Sequence, residues 1–158
     1  MKKIRVGIIG QGRSGRDIHS VSLERPKLKE RFKLAAVADR IPERCSESCA
    51  NHPGCRAYTD YRELLKDSSL DLIVNATQSP DHVGISIEAL EAGHAVLSEK
   101  PLARHVADVD RVLDAAKRTG QFFAIFQQSR FAPAFRKVRE VMNSGILGRI
   151  VMVKMAFN

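Results

Sequence analysis

Gly10-Gln11-Gly12-Arg13-Ser14-Gly15 has the spacing G-x-G-x-x-G and follows directly on an apolar run, Lys3–Ile9. The chemistry this suggests is phosphate binding. The first glycine permits a tight turn, the second lets backbone approach a pyrophosphate, and the third allows close helix–strand packing. Amides opening the next helix then face the phosphates with a favourable dipole, so Gln11, Arg13 and Ser14 count with Gly10 and Gly12 as cofactor-binding positions. The second β-like run ends at Asp39, 24 residues beyond Gly15, where a carboxylate accepts hydrogen bonds from adenosine ribose hydroxyls. Arg40 suits stacking on adenine or meeting a 2′-phosphate. The adjacent carboxylate repels such a phosphate, so NAD is expected over NADP.

Cys45, Cys49, His52 and Cys55 place four potential zinc ligands within eleven residues. Zinc is one reading; small buried hydrophobes on a helix and a short strand is the other. The second is preferred, and no metal is expected. His19, His94 and His105 have no partners at suggestive spacing and read as structural or solvated.

The elements that must position these residues alternate. β-like runs are expected at 3–9, 32–38, 56–58, 70–75, 94–97 and 122–126. Helical patterns lie at 14–24, 42–50, 60–66, 80–92, 106–119 and 133–143. Alternation of this kind marks a parallel sheet covered by helices, and six strands make up a doubly wound dinucleotide-binding domain. A seventh run, Ile150–Phe157, reads as a surplus strand belonging to an absent second domain. The expected division is a dinucleotide-binding domain over 1–128, then a connecting helix and first strand of a truncated domain over 129–158.

With 158 residues, 44% hydrophobic and 28% charged, the composition excludes collagen, coiled coil and bulk disorder. No apolar run approaches the roughly 18 residues needed to cross a bilayer. The amino terminus has two lysines but no cleavage site after its glycine-broken apolar stretch. Three cysteines make no disulfide framework and fit a reducing compartment. A cytoplasmic protein without membrane association is expected. The net charge is +8, and residues 129–158 carry six basic side chains against one acid, Glu140. No aromatic-interleaved stripe accompanies them, so nucleic acid is not expected as a partner, although a polyanion-binding role stays open.

Further stretches carry a family resemblance: Asn75-Ala76-Thr77 with His82, Glu88-Ala89-Leu90-Glu91-Ala92-Gly93, Glu99-Lys100-Pro101-Leu102, Arg130-Phe131-Ala132-Pro133-Ala134-Phe135 and Gly145-Ile146-Leu147-Gly148-Arg149-Ile150. In that order, with the glycine loop, they resemble the N-terminal half of the Gfo/Idh/MocA oxidoreductases. The resemblance implies a Rossmann sheet and hydride transfer between nicotinamide and a sugar, polyol or related hydroxy compound. It implies a second, largely antiparallel domain that forms the substrate wall and usually the oligomer interface. Lys100 is the implied catalytic residue, hydrogen-bonding the reacting hydroxyl or carbonyl. Ala76, Thr77, His82, Glu99 and Gln128 are implied cofactor contacts, and a cis Lys100-Pro101 bond is implied with them. Gln127-Gln128-Ser129 stands where many relatives have an Asn-containing segment, and Gln78 where proline is frequent. The histidine that usually partners proton transfer lies in the second half, so a chain of this length is expected to be inactive alone, and the full-length form is expected to be a homo-oligomer. The alternative is a dinucleotide-sensing module without catalysis, which has no need of Lys100.

Overall fold

The computed structural model describes residues 2–156. It divides into two compact units at Phe126/Gln127. The first is built on a six-stranded sheet, with β1 Ile4–Ile9, β2 Phe32–Ala38, β3 Arg56–Tyr58, β4 Leu72–Asn75, β5 Ala95–Ser98 and β6 Phe123–Ile125. Every pairing is parallel and the spatial order is β3-β2-β1-β4-β5-β6. The central strands β1, β2 and β4 are buried over most of their length, so their sequences are largely continuous apolar runs rather than alternating ones. The edge strands β3 and β6 are half-buried to exposed.

Helices connect the strands. Residues Ser14–Ser20 wind as a π-helix that runs into α1 Val21–Leu23, where an ordinary helix over 14–24 is expected. The hydroxyl of Ser20 donates to the Gly15 carbonyl at 2.9 Å, five residues back, which is the span of a π turn. A short helix, α2 Pro26–Lys29, follows the Arg25-Pro26 step. Then come α3 Pro42–Ala50, α4 Tyr61–Leu65, α5 His82–Glu91 and α6 Val106–Thr119. Asp60 caps α4, accepting from the Arg62 amide at 2.9 Å, and Gly120 ends α6 in the left-handed conformation. A 3-10 turn, Ser79–Asp81, replaces the expected first turn of α5.

Two apolar layers result. Val6, Ile8, Leu34, Val37 and Val74 pack with Leu23, Cys45 and Cys49 on one face of the sheet. Ile9, Ala36 and Ile73 pack with Leu64, Ile85, Leu90 and Val112 on the other. The fold is therefore doubly wound, as the alternation of elements requires.

In the second unit a 3-10 turn, Gln128–Phe131, leads to α7 Pro133–Asn143. Its apolar side chains Phe135, Val138 and Met142 are exposed. The expected surplus strand is not formed. Residues 150–156 are in no strand, and Phe157 lies outside the described residues. An extended segment becomes a strand by pairing its amides and carbonyls with a neighbour, and 150–156 have no such ladder among the described residues. No helix of the described residues is long and apolar enough to cross a membrane.

Candidate functional site

The order reverses between β1 and β4, whose carboxyl ends therefore flank the crevice where open α/β sheets bind ligands. A cavity of about 730 Å³ lies there. Gly10, Gly12, Arg13, Ser14, Asp39, Arg40, Ala76 and Thr77 border it, together with Ile41, Arg44 and Arg62.

The glycine loop is shaped for this place. Gly10 has φ +90°, and a Cβ on it would lie 2.5 Å from the Ala76 carbonyl oxygen. Only glycine lets the loop lie so close to the end of β4. A Cβ on Gly15 would penetrate the Gly10 carbonyl oxygen, so that glycine packs loop against helix. At Gly12 an added Cβ meets nothing within 4 Å. Open space above that backbone is the cradle that a diphosphate needs, and the residues present fit a dinucleotide.

Gln11 is placed differently. Its side chain is fully buried and faces the protein, accepting from the Ser48 hydroxyl at 2.6 Å. Its backbone amide donates to Asp39 Oδ2 at 2.7 Å, and the Ile41 amide donates to Asp39 Oδ1 at 2.9 Å. Gln11 thus orients the carboxylate that borders the cavity. Arg44 adds an ion pair to Asp39 at 3.7 Å.

Glu99 is 6% exposed and lies outside the cavity lining. It accepts from the Ser14 hydroxyl, from the Lys100 amide at 3.1 Å and from His19 Nε2 at 3.0 Å. Burial pushes the Glu99 carboxyl up, but the three donors outweigh it and hold it below the usual range. Burial pushes the His19 imidazole down, and the bond to Glu99 offsets this only in part. The pair is a neutral imidazole donating to an ionised carboxylate, with Phe126 packed on the ring at 4.6 Å between centroids. This buried group joins the glycine helix to the end of β5. His19 has no motif to mark it; the one signal is a polar ring on the apolar side of the first helix.

Lys100 is exposed at the carboxyl edge of β5, and its peptide bond to Pro101 is cis. Asn75 and Ser98 are register partners, so Thr77 and Lys100 leave the sheet side by side, two residues further on. His82 does not border the cavity. It is 1% exposed, with Nδ1 2.7 Å from the Pro101 oxygen and Nε2 3.1 Å from the Thr77 oxygen. Gln128 is exposed and belongs to the second unit.

Among the described residues, no group of three or more His, Cys, Asp or Glu side chains is disposed to hold a metal ion. His52 faces Glu24 at 3.1 Å, and the Cys45 thiol faces the Tyr58 carbonyl at 3.4 Å. Burial pushes the Cys45 and Cys55 thiols up, which disfavours the thiolate that metals require. A chelator is expected to leave the melting temperature unchanged, and stoichiometric zinc by elemental analysis would contradict this.

Comparison with known proteins agrees with the geometry. Residues 4–127 match the model of the Gfo/Idh/MocA oxidoreductase family, NAD-binding Rossmann fold. The chain is 31% identical over 156 residues to dehydrogenase aclE of Aspergillus oryzae, covering 95% of this chain and 43% of that protein. It is 32% identical over 154 residues to the trans-1,2-dihydrobenzene-1,2-diol dehydrogenase of Bos taurus, covering 98% and 45%. Among solved structures, myo-inositol 2-dehydrogenase from Lactobacillus plantarum superposes with a TM-score of 0.86 at 26% identity, over 95% of this chain and 44% of that one. The WlbA dehydrogenase from Bordetella pertussis, in complex with NADH and UDP-GlcNAcA, gives 0.83 at 29% identity over 94% and 44%. The chain spans less than half the length of these relatives. With a glycine loop and a carboxylate bordering one cavity at the strand-order reversal, and a family match over residues 4–127, it belongs to the Gfo/Idh/MocA oxidoreductases and carries their NAD-binding Rossmann fold.

Proposed function

We propose that this chain is the NAD-binding part of an oxidoreductase acting on a hydroxyl carbon of a sugar, polyol or related compound. The observation that carries the reading is the meeting of Gly12, Asp39 and Thr77 around one cavity at the point where strand order reverses. Names of similar proteins support the substrate class, since they include an inositol dehydrogenase and an enzyme held with a UDP-sugar.

Bound NAD supplies the hydride acceptor or donor at its nicotinamide ring. The chain's own part begins with amides of the loop after Gly10, which bind the diphosphate. Asp39 accepts from the adenosine ribose hydroxyls, and its negative charge disfavours a 2′-phosphate there. Ala76 and Thr77 border the nicotinamide half, as follows from Asp39 taking the other end. Lys100, at the same sheet edge, is the group we assign to the substrate oxygen. Its ammonium stabilises developing negative charge there and shares in proton movement. Residues 129–158 are read as the connection to a second domain that closes over substrate and carries the oligomer interface.

Asp39→Ala is expected to weaken NAD binding by about 1–3 kcal/mol, the cost of a lost hydrogen-bonded carboxylate, as measured by calorimetry. Unchanged affinity would remove Asp39 from the ribose site. Turnover by this chain alone is expected to be negligible, because loss of reacting geometry by about 1 Å already costs ~10²-fold. Reduction of NAD by any sugar, polyol or hydroxy acid at an enzyme-like rate would show that no further wall is needed.

A further inference from the structure

We infer that His82 is a positioning residue, a strut that sets the spacing of the two backbone edges around the nicotinamide half of the cleft. The inference rests on the NAD reading of the site. Its ring lies between the segment leaving β4 and the segment leaving β5, within hydrogen-bond distance of the Thr77 oxygen on one side and the Pro101 oxygen on the other. Both partners are carbonyls, which only accept, so the ring donates to one or both of them. At 1% exposure water cannot take its place.

The strut is itself braced. Asn75, fully buried at the end of β4, donates to the His82 carbonyl and to the Ser86 hydroxyl, each at 3.1 Å. Its Oδ1 accepts from the Thr77 hydroxyl at 2.7 Å. Thr77 is thereby held by its side chain from Asn75 and faces His82 through its carbonyl. Glu99 donates its amide to the Asn75 carbonyl at 2.9 Å, which ties the start of the Lys100 segment to the same group. A polar cluster this closed, placed under one end of the cleft, fixes Thr77 and Pro101 relative to each other without touching the ligand. The adenosine end depends on different residues, Asp39 with the amides of Gln11 and Ile41.

That separation supplies the test. NADH and ADP-ribose share the adenosine diphosphate half, and only NADH carries nicotinamide. His82→Phe retains ring bulk and removes both nitrogens; His82→Gln retains N–H donors. In His82→Phe, NADH affinity is expected to fall about tenfold, on the scale of one lost hydrogen bond, and ADP-ribose affinity to stay within about twofold. His82→Gln is expected to lie between that variant and the unaltered chain. Fluorescence of the bound reduced nicotinamide should change in both variants. The result is read on whichever variant still binds ADP-ribose: weakening confined to NADH supports the strut, and equal weakening of both ligands overturns it. Loss of ADP-ribose binding in both variants would make His82 a general fold residue and would also overturn it. Failure of the unaltered chain to bind either ligand would instead refute the NAD reading, and the strut with it.

Discussion

Gly15→Ala is expected to destabilise the chain by about 3 kcal/mol or more, at or beyond the upper end of overpacking costs, and Gly12→Ala to leave its stability unchanged. The two glycines are three residues apart in one motif, Gly12 in the turn and Gly15 in the helix that follows, and their surroundings differ completely. A methyl group at Gly15 enters the Gly10 carbonyl oxygen, a backbone atom that cannot step aside. At Gly12 the same methyl meets no protein atom within 4 Å, but in the proposed site it stands where diphosphate oxygens would approach the amides. Gly12→Ala should therefore cost one hydrogen bond to a charged group, about 1.5–3 kcal/mol of NAD affinity. Thermal unfolding and calorimetry on both variants separate the effects. Equal loss of melting temperature in the two would refute the division between a packing glycine and a cradle glycine.

Removal of the Glu99 carboxylate should cost about 3 kcal/mol of stability. Glu99→Ala leaves the Ser14 hydroxyl, the His19 ring and the Lys100 amide without their acceptor, and each buried unsatisfied group costs about 1–3 kcal/mol. Glu99→Gln should be scarcely better, because its amide nitrogen confronts a ring of donors. The same group makes stability depend on pH. His19 and Glu99 both titrate lower in the folded chain than in the unfolded one. For each, the unfolded chain binds protons more readily, so stability falls as pH falls. The His19 contribution begins to be lost below about pH 6.5, and the Glu99 contribution below about 4.5. Melting temperature should therefore decline between pH 7 and 5, and His19→Gln should flatten that decline. A flat profile in the unaltered chain would contradict the assignment.

The parallel sheet was legible because its determinants are local. Apolar runs such as Phe32–Ala38 and the stop at Gly120 declare themselves in a few consecutive residues, and both lie where expected. That the glycine loop and Asp39 border one cavity was legible because a tight strand-to-helix turn and the end of the next strand fall at fixed spacing. Roles decided by packing across the fold were not. Gln11 sits inside the loop motif, yet its side chain turns inward to Ser48, 37 residues away. His19 meets Glu99 across 80 residues, a distance no periodicity encodes. The run Ile150–Phe157 has strand composition, but strand character depends on a partner, and β propensity alone does not supply one.

Asp39 enters the binding event already immobilised. Two backbone amides, from Gln11 and Ile41, each hold one of its oxygens before any ligand arrives. A free side chain that must be fixed on binding loses rotamer freedom worth about 0.5–1.5 kcal/mol. Here that ordering was completed during folding, so the contacts proposed from Asp39 to the ribose would retain more of their intrinsic strength. A swap to glutamate would keep the charge but lengthen the arm past both amides, giving a carboxylate that must be ordered anew at each encounter. Preorganisation, more than charge, is what the short side chain at this position contributes.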